Sequence, residues 1–246
     1  MCGRFVVARA SADLAAELDI ERAGDDEPRA SYNVAPTTRI PIVVEAKAPD
    51  DEAEQWGPGP IRRLELAKWG LVPTWAKDES VGVRAFNARS ETAAVKPTFR
   101  AAVKRRRAAI PVDGYYEWRK LPGGAKQPYF VHLEGATVGE GEPLLLAGLY
   151  EWWRSPADEW LLSATILTRD STPGPLAELH DRIPVLLDRG DLDEWLDPAA
   201  VGDAGMLGDF AARAASVAER LAMHPVDRRV GNVRENDPGL VSPIEA

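Results

Sequence analysis

The sequence predicts an α+β fold with a mostly antiparallel, barrel-like β core and flanking helices. Three observations predict it. Short stretches dense in β-branched and apolar residues recur along the chain, separated by turn residues such as Asp113-Gly114. A few helical patterns lie between them. No linker divides the pattern, so residues 1–246 read as a single domain.

Residues 3–8 and 39–45 read as strands. Between them Ser11 is placed to cap a helix whose Leu14 and Leu18 share one face. Residues 49–60 are acidic and rich in Pro and Gly, the mark of an exposed loop. Residues 64–69 alternate like a strand and enter the turn Trp69-Gly70-Leu71-Val72-Pro73-Thr74-Trp75. Its two indoles are candidates for stacking on a nucleobase. Strands follow at 108–112, 114–119, 127–133, 144–153 and 160–168. A short helix at 174–180, a strand at 183–187 and a helical turn at 191–196 come next. An Ala-rich helix at 206–222 offers Leu207, Phe210, Val217 and Leu221 for burial, and 224–233 closes with one more strand.

Hydrophobic residues make up 45% of the 246 and charged residues 28%, ordinary for a globular protein and unlike a fibrous or disordered chain. The longest apolar runs fall far short of the roughly 20 residues of a membrane span. The first ten residues lack a signal-peptide core, so the chain reads as cytoplasmic. One cysteine excludes an internal disulfide and a zinc site built on several thiolates. The net charge of −9 argues against general nucleic-acid binding. Yet residues 84–107 hold eight cations (Arg84, Arg89, Lys96, Arg100, Lys104, Arg105, Arg106 and Arg107) against the single acid Glu91. A basic strip on an acidic body suits an anion bound at one place.

Cys2 is the most informative residue. A lone cysteine is commonly a small buried thiol. At position 2, however, loss of Met1 would leave an α-amine and a thiol on adjacent carbons. The amine has a reference pKa of about 7.7–8.0, and the thiol, near 8.5, ionises with modest help. Such a pair condenses with an aldehyde, first as an imine and then as a thiazolidine ring. It can also attack an amide with its own amine as base. Glu117, among the aromatics of Gly114-Tyr115-Tyr116-Glu117-Trp118, would be desolvated if it faces inward, as a general acid near neutral pH requires. Asn87 either caps a helix or orients a reactive group. His180 lies at a helix-to-strand junction, and the three histidines lack metal-ligand spacing. No cofactor and no metal are expected.

Taken in order, Met1-Cys2-Gly3-Arg4-Phe5, Tyr32-Asn33-Val34-Ala35-Pro36-Thr37, the turn 69–76, Asn87-Ala88-Arg89-Ser90-Glu91-Thr92, Gly114-Tyr115-Tyr116-Glu117-Trp118 and His180-Asp181-Arg182-Ile183-Pro184 resemble the SRAP family, the SOS-response-associated peptidases understood as abasic-site processing proteins. The resemblance extends from Cys2 to about Pro243. It implies one α+β domain with a barrel-like core, loss of Met1, and a covalent link from Cys2 to an abasic site in single-stranded DNA. By matching position it implies that Asn87 holds the Cys2 end and that Glu117 is the acid–base catalyst. It implies that His180 supports proton transfer or reversal, that Arg4, Arg89 and Arg182 contact phosphate, and that Trp75 offers an aromatic surface. The expected partner is single-stranded DNA containing abasic sites, with no membrane, and the chain reads as a monomer.

Three other readings compete. An N-terminal-nucleophile amidohydrolase also opens Met-Cys-Gly, but Arg4 and the later motifs do not fit it. A cysteine peptidase would pair Cys2 with His180. A non-catalytic single-strand binder would treat intact and abasic strands alike.

Overall fold

The fold is given by a computed structural model that describes residues 2–24, 26–48 and 52–245. The strands begin with β1 (Phe5–Val7), β2 (Arg22–Ala23), β3 (Ser31–Val34), β4 (Arg39–Lys47) and β5 (Pro60–Trp69). They continue as β6 (Asn87–Arg89), β7 (Arg107–Val112), β8 (Gly114–Lys120), β9 (Lys126–Leu133) and β10 (Leu144–Arg154). The last are β11 (Trp160–Asp170), β12 (Arg182–Pro184), β13 (Leu186–Leu187) and β14 (Leu221–Pro225). Around them lie α1 (Ser11–Leu18), α2 (Ala53–Trp56), α3 (Ser90–Ala93), α4 (Arg100–Arg105), α5 (Pro175–Leu179), α6 (Leu192–Leu196) and α7 (Ala204–Ala218).

Strands β11, β10, β7, β4 and β5 pair in that order, and a parallel pairing of β11 with β5 at Ser163–Lys68 and Ala164–Trp69 closes them into a five-stranded barrel. Closure removes free edges. Ile40, Ile42, Val44, Leu64, Ile110, Leu146 and Ile166 are buried, each contributing about 1.5–3 kcal/mol. A second, antiparallel sheet runs β14-β9-β8-β1-β3. Here β1 lies beside β8, with Phe5 opposite Tyr115 and Val6 opposite Gly114. A Cβ at Gly114 would fall 2.6 Å from the Val131 carbonyl oxygen, so only glycine lets β9 approach there.

The α+β class and the mostly antiparallel barrel agree with the sequence reading; several local expectations do not. Ser11 is the first residue of α1 and not its cap: Ala10 holds that position, and Ser11 Oγ donates to Glu27 Oε2 at 2.6 Å. The expected loop 49–60 contains α2, and Pro60 already opens β5; Pro49, Asp50 and Asp51 lie outside the described residues. The strand expected at 183–187 is two short pieces, β12 and β13. Helix α7 starts at Ala204, capped by Asp203, and ends at Ala218, so 221–225 form β14 and Arg228–Gly231 a 3-10 turn where one strand was expected. Trp69 is fully buried. Its indole N–H donates to the Phe86 carbonyl at 2.8 Å, and its ring packs 4.6 Å from Phe5. Of the two indoles of the turn, only Trp75 is exposed.

Candidate active site

The placement of Cys2 follows from the pairing of β1 with β8. The Tyr116 N–H donates to the Arg4 carbonyl at 2.9 Å, which carries the pairing one residue past Phe5 toward the chain start. Arg4 holds this end from the other side, donating to Asn33 Oδ1 at 2.8 Å and to the Val230 carbonyl at 2.7 Å. Asn33 in turn donates to the carbonyls of Asn232 and Glu235. The motifs around Arg4, Asn33 and Val230 therefore form one clamp on β1. Cys2 arrives on the Glu117 side of β8, and Asn87 Nδ2 donates to its carbonyl at 2.7 Å. Asn87 belongs to β6, whose parallel pairing with β11 sets its position; it does not cap α3. Its Oδ1 is buried and meets no donor among the described residues, leaving an acceptor beside the Cys2 backbone.

Cys2 is fully buried. Burial, reinforced by the nearby Glu117 carboxylate, pushes its thiol far above the ordinary range. The sequence alone suggested easy ionisation; the enclosure opposes it. A thiol held protonated must lose its proton as its sulfur bonds, so it needs a base close by. Glu117, itself buried, is the carboxylate close enough to act on it. Tyr115 lies two residues before Glu117 on β8 and projects from the same face. Its hydroxyl is pushed well up by burial and by the charges of Cys2 and Glu117.

His180 caps the C-terminus of α5, which packs against β8; the Arg119–Glu178 ion pair, at 2.8 Å, ties the two. The Arg182 N–H donates to His180 Nδ1 at 3.0 Å, and Asp181 Oδ1 lies 2.6 Å from the same nitrogen. A neutral ring accepts the first contact with its proton on Nε2, and a cationic ring donates to the second. The ring has a partner in either protonation state.

A cleft of about 780 Å³ opens at Asn87, lined also by Arg84, Arg89, Lys96, Phe99 and Thr168. No Asp or Glu among the described residues lines it. Trp75, 58% exposed, donates its indole N–H at 3.3 Å to the carbonyl of Pro97, which lies between the lining residues Lys96 and Thr98. Arg89 is exposed and has no ion-pair partner among the described residues. The rest of the basic strip is not one face. Arg106 pairs with Glu151 at 2.7 Å, and buried Arg107 donates to the carbonyls of Trp195 and Asp197.

Arg182 is 7% exposed, and its guanidinium meets Glu91, Asp170 and the Thr168 carbonyl. It joins β12, β11 and α3. Arg182→Ala is expected to destabilise the fold by about 2–3 kcal/mol, because it removes several charged hydrogen bonds. A lowered denaturant midpoint with unchanged slope would show this, and an unchanged midpoint would refute it.

Arg169 and Thr168 also belong to this region, and their signal in sequence is slight: they fall in the polar Thr168-Arg169-Asp170 end of β11.

The family model for SOS response associated peptidase (SRAP) matches residues 1–233. The chain belongs to the SRAP family. This SRAP chain is 36% identical over 200 residues to the abasic site processing protein YoqW of Bacillus subtilis (strain 168), across 80% of this chain and 81% of that one. It is 32% identical over 250 residues to the abasic site processing protein YedK of Escherichia coli (strain K12), across 99% and 100% of the two chains. It is 31% identical over 236 residues to the abasic site processing protein HMCES of Gallus gallus, across 88% and 67%. A crystal structure of a protein from Bacteroides thetaiotaomicron has the same fold, with a TM-score of 0.72 at 21% identity over 99% of this chain and 100% of that one. Among the described residues no helix is long and apolar enough to cross a membrane.

Proposed function

We propose that this chain processes abasic sites in single-stranded DNA by capturing the ring-opened sugar aldehyde through Cys2 as a thiazolidine cross-link. The observation that carries the reading is the Cys2 end, hydrogen-bonded by Asn87 at 2.7 Å, next to Glu117 and behind a cleft rimmed by Arg84, Arg89 and Lys96. Cations and an exposed indole suit an unpaired strand. An aldehyde is the electrophile an aminothiol traps. The relatives named abasic site processing proteins support the same reading.

The chemistry requires Met1 to be removed, leaving a free amine on Cys2; Met1 itself lies outside the described residues. The amine nitrogen adds to the aldehyde carbon and gives a carbinolamine. Glu117, having taken a proton from the Cys2 ammonium, donates it to the departing hydroxyl, releasing water and leaving an iminium. The Cys2 sulfur then bonds to that carbon while its proton passes to Glu117. One water is lost overall, and Glu117 gives the thiol proton to solvent and ends as the carboxylate it began as. Ring closure removes the imine that would otherwise promote β-elimination and strand breakage. His180 serves proton transfer or reversal of the link. The product stays attached, so turnover is low or single. A Cys2–His180 peptidase dyad is less well supported, because among the described residues Glu117, and not His180, is the side chain whose charge acts on the Cys2 thiol.

The test mixes the protein with a single strand bearing one abasic site, and separately with the intact strand. A heat-stable, slow-migrating adduct is expected only with the first, and equal adducts on both would refute the aldehyde chemistry. Arg89→Ala combined with Lys96→Ala should slow capture across all sequence contexts and lower the salt slope by about 1.4.

A further inference from the structure

Arg169 is the one buried cation of this region whose charge nothing answers among the described residues. It lies on β11 next to Thr168, a residue of the cleft wall, and opposite Ile183 of β12. Its side chain is enclosed, with 7% of the residue exposed. Nη1 donates to the Asp170 carbonyl at 3.3 Å, while buried Nε and Nη2 meet no acceptor among the described residues. Arg182, on the adjacent strand opposite Asp170, shows the contrast: it meets carboxylates from Glu91 and Asp170. Tyr115 lies near enough for the two groups to act on each other electrostatically. Tyr115 in turn adjoins Cys2 and Glu117.

A buried guanidinium with two idle donors is costly to keep, since each unsatisfied charged group forfeits its hydration. A packing role would be met better by an apolar side chain of similar length. The arrangement instead leaves a planar donor fork available to an oxyanion that reaches the Cys2 enclosure, and two nitrogens of such a fork suit two phosphate oxygens.

We propose that Arg169 receives the phosphodiester group adjoining the captured sugar, fixing the aldehyde carbon against Cys2 and distinguishing a lesion within a strand from a free sugar. The proposal rests on the capture of abasic sites proposed above. It makes Arg169 a specificity-determining residue toward phosphate, separate from the cations of the cleft rim.

The experiment has two readouts on wild type, Arg169→Gln and Arg169→Lys. The first needs no chemistry: inorganic phosphate should raise the melting temperature of wild type and not of Arg169→Gln. The second compares single-turnover capture of an abasic single strand, 2-deoxyribose 5-phosphate and 2-deoxyribose. Arg169→Gln should lose about tenfold more rate on the two phosphorylated substrates than on 2-deoxyribose, with a salt slope on DNA lower by about 1. Arg169→Lys, keeping the charge without the fork, should fall between. Should Arg169→Gln fail to fold, Arg169→Lys carries the same comparison. A uniform loss on all three substrates with an unchanged salt slope, or phosphate stabilisation equal in all variants, would overturn the proposal. Wild type that is stabilised by phosphate through Arg169 yet forms no adduct on DNA would sink the capture chemistry and leave the anion site standing.

Discussion

Cys2→Ala is expected to bring the heat-stable adduct on an abasic single strand down to background. The variant keeps an α-amine once Met1 is gone, so it still condenses with the aldehyde. It cannot close the ring. The imine it forms should be trapped by borohydride and, untrapped, should break the strand by β-elimination. Two assays thus move in opposite directions: stable adduct disappears while cleaved strand accumulates. Non-covalent binding should persist, because the cleft cations and Trp75 are untouched. Stability should fall by only about 1 kcal/mol or less, as the change removes one small buried atom. Loss of both adduct and cleavage in a folded variant would mean that the amine takes no part.

Glu117→Gln is expected to slow adduct formation by about 10²- to 10⁴-fold, the usual range for a positioned acid–base group. The reason lies in the Cys2 enclosure. Burial holds the thiol protonated, and the carboxylate beside it adds to that effect. Sulfur attack on the iminium therefore has to be coupled to proton loss, and glutamine cannot accept the proton. The final yield should remain high at long times, since the thiazolidine is unchanged and only its rate of formation suffers. Single-turnover time courses separate the two quantities. An unchanged rate with a reduced plateau would assign Glu117 to adduct stability and not to proton transfer.

Much of the fold is legible in the sequence where the signal is local. The alternating run 64–69 lies in β5, the strand-like runs 127–133 and 160–168 correspond to β9 and β11, and Leu14 and Leu18 do line the buried face of α1. The parallel closure of β11 on β5 is not local: Ser163 meets Lys68 across the chain, and no residue pattern encodes which distant strands meet. Strand β6 is three residues long, too short for periodicity, so Asn87 looks like a helix cap until its strand partner is known. Trp69 and Trp75 flank the same turn, yet only tertiary packing decides that one is core and the other exposed.

Charge was the least legible property at the site. Arg4, Arg89 and Arg182 are alike as cations in sequence. In the fold Arg4 clamps the chain end, Arg182 binds carboxylates, and Arg89 stands exposed beside the cleft. A cation's role depends on which acceptors fold against it, and those acceptors come from distant segments such as Val230 and Glu91. Arg169 escaped notice for the opposite reason, because its significance lies in acceptors that are missing.

The most direct measurement is the mass of the N-terminal peptide released from a protein–DNA adduct after protease and nuclease digestion. The peptide is expected to begin at Cys2 without Met1, to be joined to the sugar, and to weigh one water less than its two parts. Its sulfur, held in the ring, should resist alkylation. A peptide retaining Met1, a sulfur still free to alkylate, or a sugar attached to any other side chain would contradict it.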